Sequence, residues 1–159
     1  MHIPPYNNKN EPIININNRK VPLVYFNIIK LKKNEIYNSE VIGYETCFVP
    51  VTGSFQISVG NLNLENIGNR NKNVWDGEPE GVYIPVNEVA EIKCLSEDAE
   101  GFIAGAKFDK KLKPFYIGSN DIDIVQYGSD DTKTHRKIKH ILGQKQSDKV
   151  GRLLVSELY

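Results

Sequence analysis

ENIGNR at residues 65–70, followed eleven residues later by GVYIP at residues 81–85, is the stretch that decides the fold of this chain. A polar turn that contains a glycine leads there into a short apolar strand that ends in proline, which cannot donate a ladder hydrogen bond. Around it, β-branched and aromatic residues recur in short runs, with turn-forming residues about every 8 to 12 positions. No convincing helix with caps at both ends is present. We predict an all-β fold: an antiparallel β-sandwich or small barrel with at most short helices.

Most strands are predicted from their own composition. Residues 22–31 and 41–51 are predicted as strands, and residues 52–54 (TGS) as a tight turn that leads into a further strand at residues 55–59. Gly60-Asn61 predicts a hairpin, because both residues tolerate positive φ. Further short strands are predicted at residues 62–67, 74–75, 82–86, 89–95, 101–108 and 150–159. The fourth and fifth of these are predicted to pair as a hairpin around an acidic loop.

The domain organisation is simple, because no linker, repeat or low-complexity tract divides the chain. We predict an extended arm at residues 1–12 and one domain at residues 13–159. Within that domain, residues 120–131 are predicted as a polar, acidic loop, and residues 133–142 are compatible with a helical turn. The chain stops at Tyr159 inside an apolar alternation, for which we favour a truncated chain over a terminal strand held in a sheet.

Charge and composition exclude several classes of function. Among the 159 residues, 20 are basic and 20 are acidic, so the net charge draws the chain neither to nucleic acid nor to anionic lipid. No apolar run approaches the ~20 residues that cross a membrane, and no signal peptide precedes the domain, so we expect a cytoplasmic protein. Cys47 and Cys94 lie in apolar runs, which favours buried free thiols over a disulfide.

The inventory of metal-binding and catalytic groups is small. The three histidines are His2, His135 and His140. The last two cannot bind one metal from a single regular element, because five residues along a strand place side chains on opposite faces. Four aspartates between residues 121 and 131 do not have the spacing of a calcium loop, so a solvated acidic loop is favoured. We therefore predict no metal site in this chain and assign no catalytic residue.

Two residues are candidates for substrate binding. Glu45 shares a strand face with Cys47 and other apolar residues, so its carboxylate must find a partner or raise its pKa. It could line a pocket, but pairing with a nearby cation, or a place at the solvent end of the strand, is favoured. Arg136, in the basic run at residues 135–140, could bind a carboxylate or phosphate, although such runs are more often solvated or at interfaces. Trp75 is more typical of a strand end than of a sugar site.

Three stretches carry a resemblance to a known family. VPVTG at residues 49–53 follows Glu45 at the spacing of a cupin strand and turn. The ENIGNR and VYI segments, and the run from His135 through RLLVSELY at residues 152–159, are similar to the 5-deoxy-glucuronate isomerase family of inositol catabolism. The resemblance covers about residues 22–159 and includes the order of the segments. It implies a cupin (RmlC-like) domain that forms the N-terminal half of a bicupin about twice this length.

The resemblance also implies a function. Members convert 5-deoxy-glucuronate to 5-dehydro-2-deoxygluconate, an aldose–ketose isomerisation, with a divalent metal held in the second cupin. That part of the family follows the junction at which this chain ends, so no metal ligand can be carried over to any residue here. We expect a degenerate, metal-free cupin that is inactive alone. Its partners would be the C-terminal cupin half, a sugar-acid substrate of the complete enzyme, and further copies in a homo-oligomer.

Two other functions stay open. One is a stand-alone cupin-like module that binds a small acidic sugar in a cavity lined by Glu45, Trp75 and Arg136. The other is a purely structural or oligomerisation domain. Within the isomerase reading, Glu45 is interpreted as a relic of a cupin ligand position, and Arg136 is expected to reach the partner domain's pocket.

Overall fold

The computed structural model describes residues 6–159, which form eleven strands and two short 3₁₀ helices. The 3₁₀ helices are Ser119–Asp121 and Gln144–Gln146. The strands are β1 Val24–Lys32, β2 Ile36–Glu40, β3 Tyr44–Val59, β4 Leu62–Arg70, β5 Gly81–Ile84, β6 Val89–Cys94, β7 Asp98–Lys107, β8 Phe115–Ile117, β9 Asp123–Tyr127, β10 Arg136–Leu142 and β11 Val155–Leu158. Every pairing among them is antiparallel. The predicted all-β antiparallel fold is confirmed. No helix in this part of the chain has the length and apolar character that a membrane span requires.

The long strand β3 belongs to two facing sheets. Its first half pairs with β7 and β5, in a sheet ordered β1-β7-β3-β5-β8, and its second half pairs with β6 and β4. The predicted turn at residues 52–54 is wrong, because the chain bends there and continues. Gly53 has φ of +75° and lies at register shifts of the ladder, so it forms a bulge that re-aims the strand.

The main hydrophobic core fills the space between these two sheets. Phe48, from the first half of β3, meets Phe55, from the second half, edge to face with ring centroids 5.0 Å apart. Fully buried aliphatic side chains surround the pair, including Ile29, Ile57, Ile92 and Ile103. Burial of these side chains is the main driving force for the sandwich, at about 2 kcal/mol for each.

A third sheet, ordered β11-β10-β9, covers the other face of the first sheet. A second apolar cluster lies between them, in which Cys47, Val49 and Tyr83 meet Ile141 and Leu142. The helical turn considered for residues 133–142 is wrong, because most of that segment forms strand β10. The loop predicted at residues 120–131 is wrong where the chain forms strand β9. In β10 the alternation of lysine with isoleucine and histidine has the period of a strand with two different faces.

The structure differs from the predicted strands at several further places. Residues 74–75 form a turn, in which Asp76 Oδ2 accepts hydrogen bonds from the Lys72 and Asn73 backbone nitrogens. Strands β6 and β7 do not form the predicted hairpin, because β6 pairs in the second sheet and β7 in the first. Strand β2 was not predicted, and β11 is shorter than predicted. The Gly60-Asn61 hairpin is confirmed, with Val59 opposite Leu62.

The predicted arm lies partly outside the described residues, which begin at Tyr6. Next to it, Asn10 accepts a hydrogen bond from the Lys30 backbone nitrogen at 2.7 Å, and Ile14 bridges to Phe26. Residues 10–14 thus lie against β1. The division into an arm and a single domain stays a prediction.

Candidate functional site

The main candidate site is a cleft between the third sheet and the loop that joins β4 to β5. It has a volume of about 430 Å³. The side chain of Trp75 is 74% exposed beside it, and its ring meets Tyr159 edge to face at 4.7 Å between centroids. The loop side is formed by residues 74–78 and the sheet side by Gln126, His135, Lys137, Lys139 and Tyr159.

A buried ion pair is hydrogen-bonded to Tyr159, one of the residues that line the cleft. The Arg70 guanidinium, 2% exposed, donates two hydrogen bonds to the Glu157 carboxylate at 2.8 and 2.6 Å. The Tyr159 hydroxyl accepts from Arg70 Nη2 at 3.1 Å and donates to Glu157 Oε2 at 2.7 Å. Burial alone would lower the pKa of Arg70, but its bonds to Glu157 leave that pKa above its ordinary value. Burial and the bond to Glu157 raise the pKa of Tyr159. Arg70 therefore stays charged and Tyr159 stays neutral at physiological pH.

Lys139 is a buried cation that lines the cleft. Its side chain is 7% exposed, and its ammonium lies 2.9 Å from Glu78 Oε2 as an ion pair rather than a well-directed hydrogen bond. The same ammonium is 4.6 Å from the centroid of the Tyr159 ring, a cation–π contact. Both partners reduce the charge that Lys139 can offer to a ligand.

Lys137 is the cation that the cleft leaves free. It is half-buried on the same strand face as Lys139, and within residues 6–159 it forms no ion pair. Its neighbour His135 is already engaged, with Nε2 2.7 Å from Asp130 Oδ1 and Nδ1 3.0 Å from Gln126 Nε2. In such a cleft a free ammonium can bind a carboxylate, and an exposed indole can stack on a sugar ring. The arrangement is suited to binding rather than to proton transfer.

Glu45 lies in the second apolar cluster and not in the cleft. It is fully buried, and its carboxylate accepts hydrogen bonds from the Tyr83 hydroxyl at 2.6 Å and from the backbone nitrogens of Gly151 and Leu153, each at 2.8 Å. The Arg152 backbone nitrogen is a fourth donor. Burial and this carboxylate raise the pKa of Tyr83. We call this arrangement the Glu45 clamp, because it ties residues 151–153 to β3.

The clamp corrects the favoured interpretation of Glu45. Within the described chain no cation pairs with its carboxylate, and Glu45 is not at a solvent end of its strand. Tyr44 and Phe48 do face the main core, but the opposite face of β3 is buried as well, beneath the third sheet. All four of the bonds come from this chain, so the carboxylate has little left to offer a substrate.

Arg136 also lies away from the cleft. It is exposed at the start of β10, where strand alternation places it on the opposite face from Lys137 and Lys139. The binding-module hypothesis expected one cavity lined by Glu45, Trp75 and Arg136. In the structure these three residues do not line one cavity. Their individual roles in substrate binding stay predictions.

Several residues in the cleft or next to it were missed from the sequence. Arg70 ends the quoted ENIGNR stretch, but its partner Glu157 is 87 residues away in sequence. The alternating lysines of β10 were a usable signal, which the helical interpretation obscured. Trp75 was expected at a strand end, and it lies in a turn against Tyr159.

The residues present do not fit a metal ion. Within residues 6–159 no three His, Cys, Asp or Glu side chains are grouped closely enough to hold one. His135 pairs with Asp130, and His140 Nδ1 lies 2.7 Å from Ser156 Oγ. His2 lies outside the described residues. Cys47 and Cys94 are free and buried, and burial raises the pKa of the Cys47 thiol to about 12.

Comparisons with known proteins support one family. The sequence profile of the KduI/IolB family matches residues 2–159. Proteins named 5-deoxy-glucuronate isomerase from Listeria monocytogenes EGD-e and Bacillus subtilis 168 are each 29% identical over 147 residues, which are 92% of this chain and 52% of theirs. The chain thus spans about half the length of these curated relatives.

A solved structure supports the same fold. An IolB-like protein from Salmonella typhimurium LT2 superposes with a TM-score of 0.81 at 20% identity, over 96% of this chain and 57% of that one. The predicted antiparallel β-sandwich is therefore also the fold of this IolB-like protein.

Proposed function

Because the chain belongs to the KduI/IolB family, we propose that it is the N-terminal, metal-free cupin half of a 5-deoxy-glucuronate isomerase. The complete enzyme would convert 5-deoxy-glucuronate to 5-dehydro-2-deoxygluconate in the cytoplasm, in the catabolism of inositol. The observation that carries the proposal is the match of nearly the whole chain to half the length of relatives with that name.

The role proposed for this half is to position the part that carries the chemistry. The Glu45 clamp fixes residues 151–153 on β3, and the Arg70–Glu157 pair fixes β11 to the end of β4. These contacts hold the last strand of the chain with charged groups that are buried and fully paired, so a lost partner would be costly. The second cupin would follow this rigid strand.

The metal of the proposed enzyme would lie in the other half. Isomerisation moves a hydrogen between C1 and C2, which needs a base and a polarised carbonyl, and a divalent metal can supply the polarisation. The histidines and carboxylates of residues 6–159 do not fit such an ion. We therefore assign no step of the reaction to a residue of this chain.

Fusion to a complementary half tests the proposal. This chain would be joined to the part of the Bacillus subtilis relative that it does not match, and formation of the ketose from 5-deoxy-glucuronate would be followed. The intact relative is the positive control. We expect turnover by the fusion and none by residues 1–159 alone. A folded, metal-loaded fusion without turnover, or turnover by this chain alone, would contradict the proposal.

A second candidate function is binding of a small acidic sugar in the cleft, favoured by the exposed Trp75 beside the unpaired Lys137. Titration calorimetry with glucuronate would show saturable heat, with a Kd of about 1 mM for a single charged contact and one stacked ring. Lys137→Gln should remove that heat, whereas Lys113→Gln, at an exposed lysine outside the cleft, should not. The absence of saturable heat with the parent chain would exclude this candidate.

A further inference from the structure

The third sheet has an apolar face that no other part of residues 6–159 covers. In its register Ile138 lies opposite Val125 on one side and opposite Leu158 on the other, so these three side chains form one row across all three strands. Arg136 and Tyr127 form the next row. Leu154 lies just before β11, four residues from Leu158, so strand alternation places it on the same face. We call this surface the outer face.

Exposure distinguishes the outer face from the side that packs on the first sheet. Leu154, Leu158 and Tyr127 are 68%, 65% and 56% exposed, and Val125 and Ile138 in the middle of the sheet are half-buried. On the other side, Ile141 and Leu142 are fully buried. Single exposed apolar residues are common on protein surfaces, but a continuous apolar row across a sheet marks an interaction surface. Polar and charged groups border the row, among them Arg136 and His140, as at the rim of an interface.

The edges of the same sheet are also open. In the described part of the chain, β9 and β11 each pair only with β10. An edge strand presents unpaired N–H and C=O groups that readily accept a further strand. An exposed apolar face and two open edges on one small sheet indicate a sheet that another element completes.

We propose that the outer face is the surface on which the second half of the enzyme docks, which rests on the proposed function. The relatives supply the argument for this occupant. The matched regions are 52% of the Bacillus subtilis protein and 57% of the Salmonella protein, so each contains a further portion of comparable size. Arg136 then becomes a rim residue that contacts the other half.

Mixing the two halves as separate chains tests the surface. Residues 1–159 would be mixed with the part of the Bacillus subtilis relative that this chain does not match, and the complex would be measured by sedimentation velocity. We expect a one-to-one complex and slower hydrogen exchange at the outer edge of β11. Leu158→Arg and Leu154→Arg should each raise the Kd about tenfold or more, because each places a charge in an apolar contact.

The matched control is Leu23→Arg, since Leu23 is 58% exposed and lies at the start of β1, outside the third sheet. It should leave the Kd unchanged, and circular dichroism should show that all variants keep the parent fold. The inference is overturned if no complex forms, if both outer-face variants bind like the parent, or if the face instead joins two copies of this chain. An active fusion together with insensitive variants would reject the surface and leave the proposed function standing. An inactive fusion would remove the proposed function first.

Discussion

Replacement of Glu45 by Gln tests whether the Glu45 clamp stabilises the fold. One carboxylate oxygen accepts from the nitrogens of Arg152 and Leu153, and the other accepts from the Tyr83 hydroxyl and the nitrogen of Gly151. Glutamine keeps the shape, and with its NH₂ group on the Tyr83 side it can donate to the Tyr83 hydroxyl, but the Gly151 N–H then faces a donor. Loss of that bond costs about 2 kcal/mol, and loss of the negative charge weakens the two bonds from Arg152 and Leu153 by about 1 kcal/mol each, so we expect the free energy of unfolding to fall by about 4 kcal/mol.

Urea denaturation measures this change. With a slope of about 2 kcal/mol per molar for a domain of this size, the midpoint should fall by about 2 M. Glu65→Gln is the matched control, because Glu65 is exposed and accepts from the Gln56 side chain. Its midpoint should move by less than about 0.3 M. A Glu45→Gln midpoint within that control range would refute the clamp. Faster hydrogen exchange at residues 151–153 in the variant would locate its effect.

Three further outcomes follow from the structure. Arg70→Met should cost about 3–5 kcal/mol, because it leaves the Glu157 carboxylate buried without its partner, and thermal unfolding should show no comparable loss for the exposed control Arg19→Met. Gly53→Ala should lower the free energy of unfolding by more than about 2 kcal/mol, because at φ of +75° its Cβ would lie 2.5 Å from Ser96 Oγ. Gly43→Ala should lower it by only about 1 kcal/mol, because Gly43 has almost the same φ, +76°, but open space around it. Equal losses for the two variants would reject the packing argument. The Cys47 thiol should stay protonated and unreactive in the native state, because burial raises its pKa from 9.0 to about 12. The unfolded chain loses this proton at lower pH than the native state, so the free energy of unfolding should fall as the pH rises from about 9 towards 12. Cys47→Ala should reduce that fall. Rapid alkylation of Cys47 in the native protein at pH 8 would contradict this last prediction.

The sequence predicted the fold class well because strand composition and turns are local signals. Gly60-Asn61 specified a hairpin by itself. Residues 52–54 did not, because a glycine at positive φ serves a bulge as well as a turn, and the continuation of β3 depends on its partners in both sheets. The separation of β6 from β7 is likewise a property of the sandwich. Three residues connect them, as in a hairpin, but each strand finds its partners in a different sheet.

The cleft was less predictable because its members are distant in sequence. Arg70 ends β4 in the second sheet and Glu157 lies on β11 in the third, so the two come together only when these sheets are assembled. Three of the four partners of Glu45 are backbone nitrogens, which carry no side-chain signal in the sequence. What the sequence did provide was a buried carboxylate that required partners, and the structure shows that they come from residues 151–153 and Tyr83.

Turnover of 5-deoxy-glucuronate by isolated residues 1–159, supplied in turn with manganese, iron, cobalt and zinc ions, tests most directly whether the chemistry lies outside this chain. Ketose should form no faster than in the absence of protein with any of the four metals. Turnover that rises in proportion to the concentration of this chain, and disappears when a chelator is added, would contradict it.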